Sequence, residues 1–429
     1  MFMRTSYNKF YYAGRSLAKI SLFASRLCAW CVLTPAVTVS AQNYENSRAI
    51  EATDGNRAPL FANIAEPPKG LPALPIPERN PATPARIDLG RKLFFDRRLS
   101  FNRTLSCAMC HVPEQGFTQY EVKTPVGAEG RFIGRNAPTL LNVGYRAALF
   151  HDGRESTLEN QVWQPLLKAN EMANPSIGFV LATLRNAPDY QGLFEAAFDQ
   201  GLTMETVGMA LASYQRGLIA ADSPFDRWYF GGNENALSEQ ARQGWELFRS
   251  LGCSDCHSVE QHHAHFTNDA FYDTGIGYAR SMGIGLQPTT VRIAPGVEIT
   301  PTVKFERPPG NDLGRYEATG RSSERWQFRV PTLRNVAITP PYMHDGSLPN
   351  LRAVIDYYDA GGVPHQGQDP RIRPLDLEEA EKAALVAFLE SLTGSNIATL
   401  VEDARSQAIG DANLAQPRAV FSDRGAASL

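Results

Sequence analysis

The chain has 429 residues, 43% of them hydrophobic, with 42 Lys and Arg against 45 Asp and Glu, which is enough apolar material for roughly one to three domains. The small negative balance excludes the strongly basic surface that nucleic acid selects, so no nucleic-acid partner is expected. No apolar run is long enough to cross a bilayer, so the protein is not expected to span a membrane.

In chain order, residues 1–41 read as a secretory signal. Arg4, Lys9, Arg15, Lys19 and Arg26 are its only charges, and an apolar run from Leu27 to Val39 ends in Val39-Ser40-Ala41, a small-residue cleavage pattern. Cleavage near Ala41 implies a periplasmic protein, and loss of those five cations takes the net charge from −3 to −8. Residues 42–70 read as a linker, and the chain is Pro-rich from about Ala65 to Ile87. Helical periodicity then marks Ile87–Arg97, Glu155–Leu167, Gly178–Arg185, Tyr190–Phe198, Met204–Leu218, Ser238–Arg249, Leu351–Tyr358 and Asp376–Leu392. Alternating strand patterns are scarce, Ser258 to Gln327 is loop-rich, and residues 396–429 read as a peripheral tail.

An internal echo organises these elements. Gly90-Arg91-Lys92-Leu93-Phe94 returns as Gly244-Trp245-Glu246-Leu247-Phe248. Pro138-Thr139-Leu140-Leu141-Asn142-Val143, His151-Asp152-Gly153 and Leu158 return 193 positions later as Pro331-Thr332-Leu333-Arg334-Asn335-Val336, His344-Asp345-Gly346 and Leu351. The pattern predicts a mainly α fold of two helical domains related by internal duplication, residues 71–235 and 236–395.

Chemistry enters through the cysteines. Two of the six, Cys28 and Cys31, leave with the signal; the other four form two C-x-x-C-H units, Cys107/Cys110/His111 and Cys253/Cys256/His257. A c-type haem needs two thiols to add across its vinyl groups and an imidazole for the iron, and this spacing supplies all three. Zinc ribbons also use C-x-x-C pairs, but the immediate His after each pair and the export signal favour two covalently bound haem c groups, with His111 and His257 as proximal ligands. The two repeated halves are then expected to be cytochrome c-like helical haem domains.

With Arg135-Asn136-Ala137-Pro138-Thr139, Asp152-Gly153-Arg154, Gln161, Glu171 and Thr339-Pro340-Pro341-Tyr342-Met343-His344-Asp345-Gly346 added, the sequence from about Leu71 to Gly394 resembles the bacterial dihaem cytochrome c peroxidases and their relative MauG. The resemblance implies hydrogen peroxide reduction at the N-terminal haem and an electron-supplying C-terminal haem. It also implies a calcium ion held by Asn136 and the backbone carbonyls of Thr339 and Pro341. Glu171 corresponds to the acid–base carboxylate that moves a proton between the peroxide oxygens, and Gln161 to its partner amide, ten residues away on a helix-like stretch.

The family takes the sixth ligand of the second haem 17 residues beyond the calcium-binding Pro, which here is Tyr358; peroxidase members have Met there and MauG has Tyr. Met343 is the rival ligand, and packing on a helix is the bland role for Tyr358. The repeat offset of 193 places Pro165 at the matching position over the first haem, and proline offers no side-chain lone pair. Where peroxidase members carry a capping loop His, this chain has Val126-Gly127-Ala128-Glu129-Gly130, so the first iron is expected to be open.

Two substitutions of a family Trp qualify the likeness. His151 stands where the family has an inter-haem Trp, which leaves it a relay, pH-reporting or structural residue. Leu251 stands where MauG has a surface Trp facing its protein substrate. His262, His263 and His265 form a cluster read as solvated loop rather than a metal site, and Trp163 reads as packing near the first haem.

The function expected is a periplasmic dihaem peroxidase drawing electrons from a small redox protein, a cytochrome c or a copper protein. The alternatives are MauG-like oxidation of a partner protein or organic substrate, and a non-catalytic dihaem electron carrier. The family's habit of pairing leaves a homodimer open.

Overall fold

The computed structural model describes residues 58–284 and 311–407, with the backbone of two short strands between them; the segment read as a signal lies outside the described residues. The helices are α1 Leu60–Ala65, α2 Pro84–Phe95, α3 Leu158–Gln161, α4 Trp163–Leu167, α5 Ile177–Arg185, α6 Leu193–Phe198, α7 Met204–Gly217 and α8 Pro224–Tyr229. They continue as α9 Glu239–Ser250, α10 Ile276–Met282, α11 Tyr316–Thr319, α12 Leu351–Asp359, α13 Glu379–Glu390 and α14 Ile397–Arg405. Strands β1 Phe271–Tyr272 and β4 Phe328–Arg329 pair antiparallel, as do β2 Val291–Ala294 and β3 Val297–Ile299. The described chain is therefore mainly helical.

Local chemistry sets the helix starts. Thr83 accepts from the Arg86 amide with Pro84 in the first turn, Ser238 caps α9 by accepting from Ala241, and Asn350 caps α12 by accepting from Ala353. Each side chain satisfies an amide that the helix itself leaves unpaired. Thr157 caps α3 in the same way. The helix it opens breaks at Val162, because Pro165 has no N–H for the residue-161 carbonyl. Helix α12, starting 193 positions after α3, runs unbroken through Tyr358.

Two helix crossings organise two cores. An added Cβ on Gly90 would lie 1.9 Å from the Ala210 carbonyl oxygen, and one on Gly244 would lie 1.9 Å from that of Ala384; α2 on α7 and α9 on α13 thus cross at backbone contact. Asn142 and Asn335 both have φ of 61°. Their amides donate to Leu218 O and Leu392 O, just beyond α7 and α13. The first core gathers Leu93, Phe94, Tyr214 and Leu166; the second gathers Phe225, Trp245, Phe266 and Phe388.

Three segments differ from the sequence expectation. The stretch read as linker carries α1, whose Leu60 and Ile64 are buried in the first core. The segment read as a peripheral tail carries α14, whose Leu400 and Ala404 are buried there too. Asp403 of α14 is fully buried and takes both Nε and Nη2 of Arg91 at 3.0 Å, together with the Ala58 amide. Helix α8, within the stretch assigned to the first half, sends Phe225 into the second core. In each case one or two apolar side chains on a short helix do the anchoring, too few to give a periodic signal.

Candidate active site

One cavity of about 2680 Å³ is lined by both C-x-x-C-H units and by most of the side chains singled out in the sequence. Ligand pockets ordinarily hold about 300–1,000 Å³, so this space suits more than one large cofactor.

Each motif forms a single tight turn, Cys107–Met109 and Cys253–Asp255, leading straight to its histidine. His111 Nδ1 lies 3.1 Å from Phe117 O, and His257 Nδ1 lies 2.9 Å from Phe266 O. With Nδ1–H donated to a carbonyl, the lone pair sits on Nε2, the arrangement of an imidazole ready to ligate. Burial lowers both rings to about 4 despite those bonds, which keeps them neutral. All four cysteine side chains line the cavity, and none is paired in a disulfide. Among the described residues no group of three or more His, Cys, Asp and Glu converges as a zinc ribbon would require. The two thiol pairs, each followed at once by an imidazole whose Nδ1 is held by a carbonyl, fit two haem groups.

Pro165 of α4 and Gln161 of α3 line the cavity. Glu171 does too, but in a turn after α4 ends at Leu167, so it is not on a helix shared with Gln161. Its carboxylate pairs with Lys168 Nζ at 3.0 Å, a partner not foreseen from the sequence, and keeps 16% of its side chain exposed. Burial first, and the charge of Glu171 second, push the Cys110 thiol up to about 12, which places the carboxylate beside the first motif. The loop Val126–Gly130 packs directly on this turn: Ala128 donates to Glu171 O at 2.7 Å. An added Cβ on Gly127 would lie 2.1 Å from Asn170 O.

Around the second motif, Tyr358 lines the cavity from α12. Burial, with the thiols of Cys256 and Cys253 adding to it, pushes its phenol up. Met343 lines the same cavity from the loop before α12, and Leu251 is a partly buried residue packed on the second core.

Asn136, Thr339 and Pro341 all line the cavity, and the bond before Pro341 is cis. Asn136 Nδ2 donates to Lys123 O at 2.9 Å, which leaves its Oδ1 as the available oxygen donor. His151 Nε2 lies 2.9 Å from Asn136 O, and burial lowers its ring to about 3. Its ring meets His344 edge-on at 6.5 Å, and His344 stacks flat on Phe328 at 3.6 Å. Trp163 is buried in the first core, as packing requires. His265 lies 4.9 Å from the Tyr145 ring and 5.4 Å from that of His263.

Charge in the cavity wall centres on Arg135. It grips Asp312 with Nε and Nη2 at 2.6 and 2.7 Å and reaches Asp152 with Nη1 at 2.6 Å, while Arg154 holds Asp152 from the other side. Burial pushes the Asp312 carboxyl up, but the bonds and charge of Arg135 outweigh it and hold the group at about 2. The sequence marked Arg135, Asp152 and Arg154 as motif residues; Asp312 sits 177 positions from Arg135 and had no local signal.

The chain is similar to known proteins over most of its length. A family model described as di-haem cytochrome c peroxidase matches residues 84–235. The chain is 33% identical over 373 residues to the methylamine utilization protein MauG of Methylorubrum extorquens, covering 85% of this chain and 94% of that protein. It is 32% identical over 349 residues to the cytochrome c551 peroxidase of Pseudomonas aeruginosa, covering 80% and 87%. The crystal structure of a MauG-like protein associated with microbial copper homeostasis superposes with a TM-score of 0.63 at 31% identity, covering 77% of this chain and 96% of that one.

Proposed function

This chain belongs to the dihaem cytochrome c peroxidase family that includes MauG, and from that premise we propose an exported peroxidase with one open and one tyrosine-capped haem. A peroxidase-type oxidoreductase with two haems is what the family supplies. The finer assignments are covalent attachment at Cys107/Cys110 and Cys253/Cys256, ligation of the second iron by Tyr358, calcium at Asn136, Thr339 and Pro341, and a small redox protein as donor. The observation that carries the reading is the shared cavity, which Gln161, Pro165 and Glu171 line together with Tyr358.

Bound haem iron supplies the redox centre at which peroxide accepts electrons. Glu171, held in its turn by Lys168 and by the Ala128 amide, would take the proton from the near peroxide oxygen and return it to the far one, so that water leaves. Gln161 would orient the peroxide by hydrogen bonding, and Pro165 leaves that face of the pocket without a competing ligand. Tyr358 would offer the second iron an anionic oxygen, which favours a higher oxidation level than a thioether does. The parallel crossings at Gly90 and Gly244, and the parallel turns at Asn142 and Asn335, support a duplicated haem unit.

Tyr358 also favours a second reading, oxidation of a partner protein in the manner of MauG, whereas Leu251 removes the surface residue MauG uses for it. Steady-state peroxide reduction tests the choice. With reduced cytochrome c as donor, we expect turnover that falls about 10²–10⁴-fold in Glu171→Gln. Full turnover in that variant would remove the acid–base assignment, and turnover only with a protein substrate would favour the second reading.

A further inference from the structure

Behind the wall of the second haem pocket lies a ring cluster that the peroxidase chemistry does not use. His365 stacks flat on Tyr278, with centroids 4.1 Å apart and planes 12° apart; Trp326 meets His365 edge-on at 5.5 Å and Tyr278 at 5.2 Å. His365 Nε2 lies 3.1 Å from Asp273 Oδ2, out of line for a good hydrogen bond, with both side chains almost fully buried, at 6% and 2% exposure. Gly367 donates to His365 Nδ1, and Gly275 donates to Asp273 Oδ1.

Glycine makes the approach possible. A Cβ on Gly277 would lie 2.8 Å from Phe328 and 3.1 Å from the Trp326 side chain, and one on Gly275 would lie 2.5 Å from Val363 O. The connection inward is short. Tyr272 and Thr274 line the cavity, and Asp273 between them faces the cluster. The Tyr357 hydroxyl donates to Thr274 O at 2.6 Å, and the Tyr357 ring meets that of Tyr358 at 5.6 Å. Outward, Tyr278 and Trp326 both retain partial solvent exposure.

We propose that Tyr278, His365 and Trp326, backed by Asp273, carry electrons between the second haem pocket and a one-electron protein donor at the surface. The proposal rests on the peroxidase reading and adds the route by which reducing equivalents arrive. Indole and phenol are the side chains most readily oxidised by one electron, and a buried carboxylate beside the rings stabilises the positive charge left when an electron departs. Each peroxide takes up two electrons and two protons and leaves as two waters. Each electron leaves Trp326 or Tyr278 toward the pocket and is replaced from the donor, and the phenol releases and recovers its proton with solvent. Without a donor the rings themselves become the reductant: a ring C–H and water give C–OH, two protons and two electrons, which balance one peroxide.

The full-length holoprotein is treated with hydrogen peroxide in the absence of donor, and added oxygen is mapped by peptide mass spectrometry. Oxidation is expected at Trp326 and Tyr278 ahead of Tyr120 and Tyr229, which are more exposed at 52% and 43%. A pattern that follows exposure instead overturns the relay. A Tyr278→Phe/Trp326→Phe double variant should lose turnover supported by reduced cytochrome c and keep peroxide consumption supported by ascorbate. Retained cytochrome-supported turnover also overturns the proposal. Trp326→Tyr, which keeps an oxidisable ring, should restore turnover if the double variant folds poorly. Wild-type protein that consumes no peroxide even with ascorbate would sink the peroxidase reading, and the relay with it.

Discussion

Replacing Gly90 by Ala puts a methyl where an Ala210 carbonyl oxygen lies 1.9 Å away and Tyr214 Cβ lies 2.9 Å away; at Gly244 the neighbours are Ala384 O at 1.9 Å and Phe388 Cβ at 2.8 Å. Ordinary contact begins near 3.4 Å, so each helix pair would have to part by about 1.5 Å, a displacement of the overpacked kind that costs about 1–3 kcal/mol or more. Two effects compete, because Gly→Ala inside an exposed helix gains about 1 kcal/mol from propensity. The clash is with backbone and cannot be relieved by a rotamer change, so the net sign should be destabilising at both positions, with similar size. Urea unfolding followed by far-UV circular dichroism measures it. Stabilisation by Gly90→Ala or Gly244→Ala would refute the backbone crossings, and a loss at one position only would refute their equivalence.

Asp403→Asn leaves the Arg91 guanidinium buried with only Asp88, and should cost about 3–5 kcal/mol. The double change Arg91→Met/Asp403→Leu should recover most of that in the same urea experiment, because it removes both charges together. His265 is lowered from 6.5 to about 3 by burial and by the cations Arg146 and Arg334. The stability from its neutral ring is therefore full above pH 6.5 and is lost as pH falls from 6.5 toward 3. His265→Gln should flatten the pH dependence of stability in that window, and an unchanged slope would show that the ring is not held neutral by the fold.

Part of this architecture was legible in the residues. The periods at Met204–Leu218, Ser238–Arg249 and Asp376–Leu392 foretell α7, α9 and α13, whereas α2 begins at Pro84, inside the stretch read as Pro-rich. The repeat spacing pairs Pro165 with Tyr358, and both line the one cavity. What stayed hidden is set by distant partners. Helix α14 is short, and its value lies in Asp403 reaching Arg91, a contact 312 positions apart. Helix α4 ends at Leu167, before Glu171, so the carboxylate is placed by Lys168 and a loop amide rather than by helical spacing. Asp312 and Phe328 come from the loop-rich stretch, where no periodicity marks which side chain will turn toward Arg135 or His344.

The central claim is that one iron keeps a vacant position while the other is capped by Tyr358. Electron paramagnetic resonance of the ferric holoprotein tests it most directly. One high-spin and one low-spin signal, with the low-spin signal lost in Tyr358→Phe, is the predicted result. Two low-spin signals would contradict it and leave only an electron carrier.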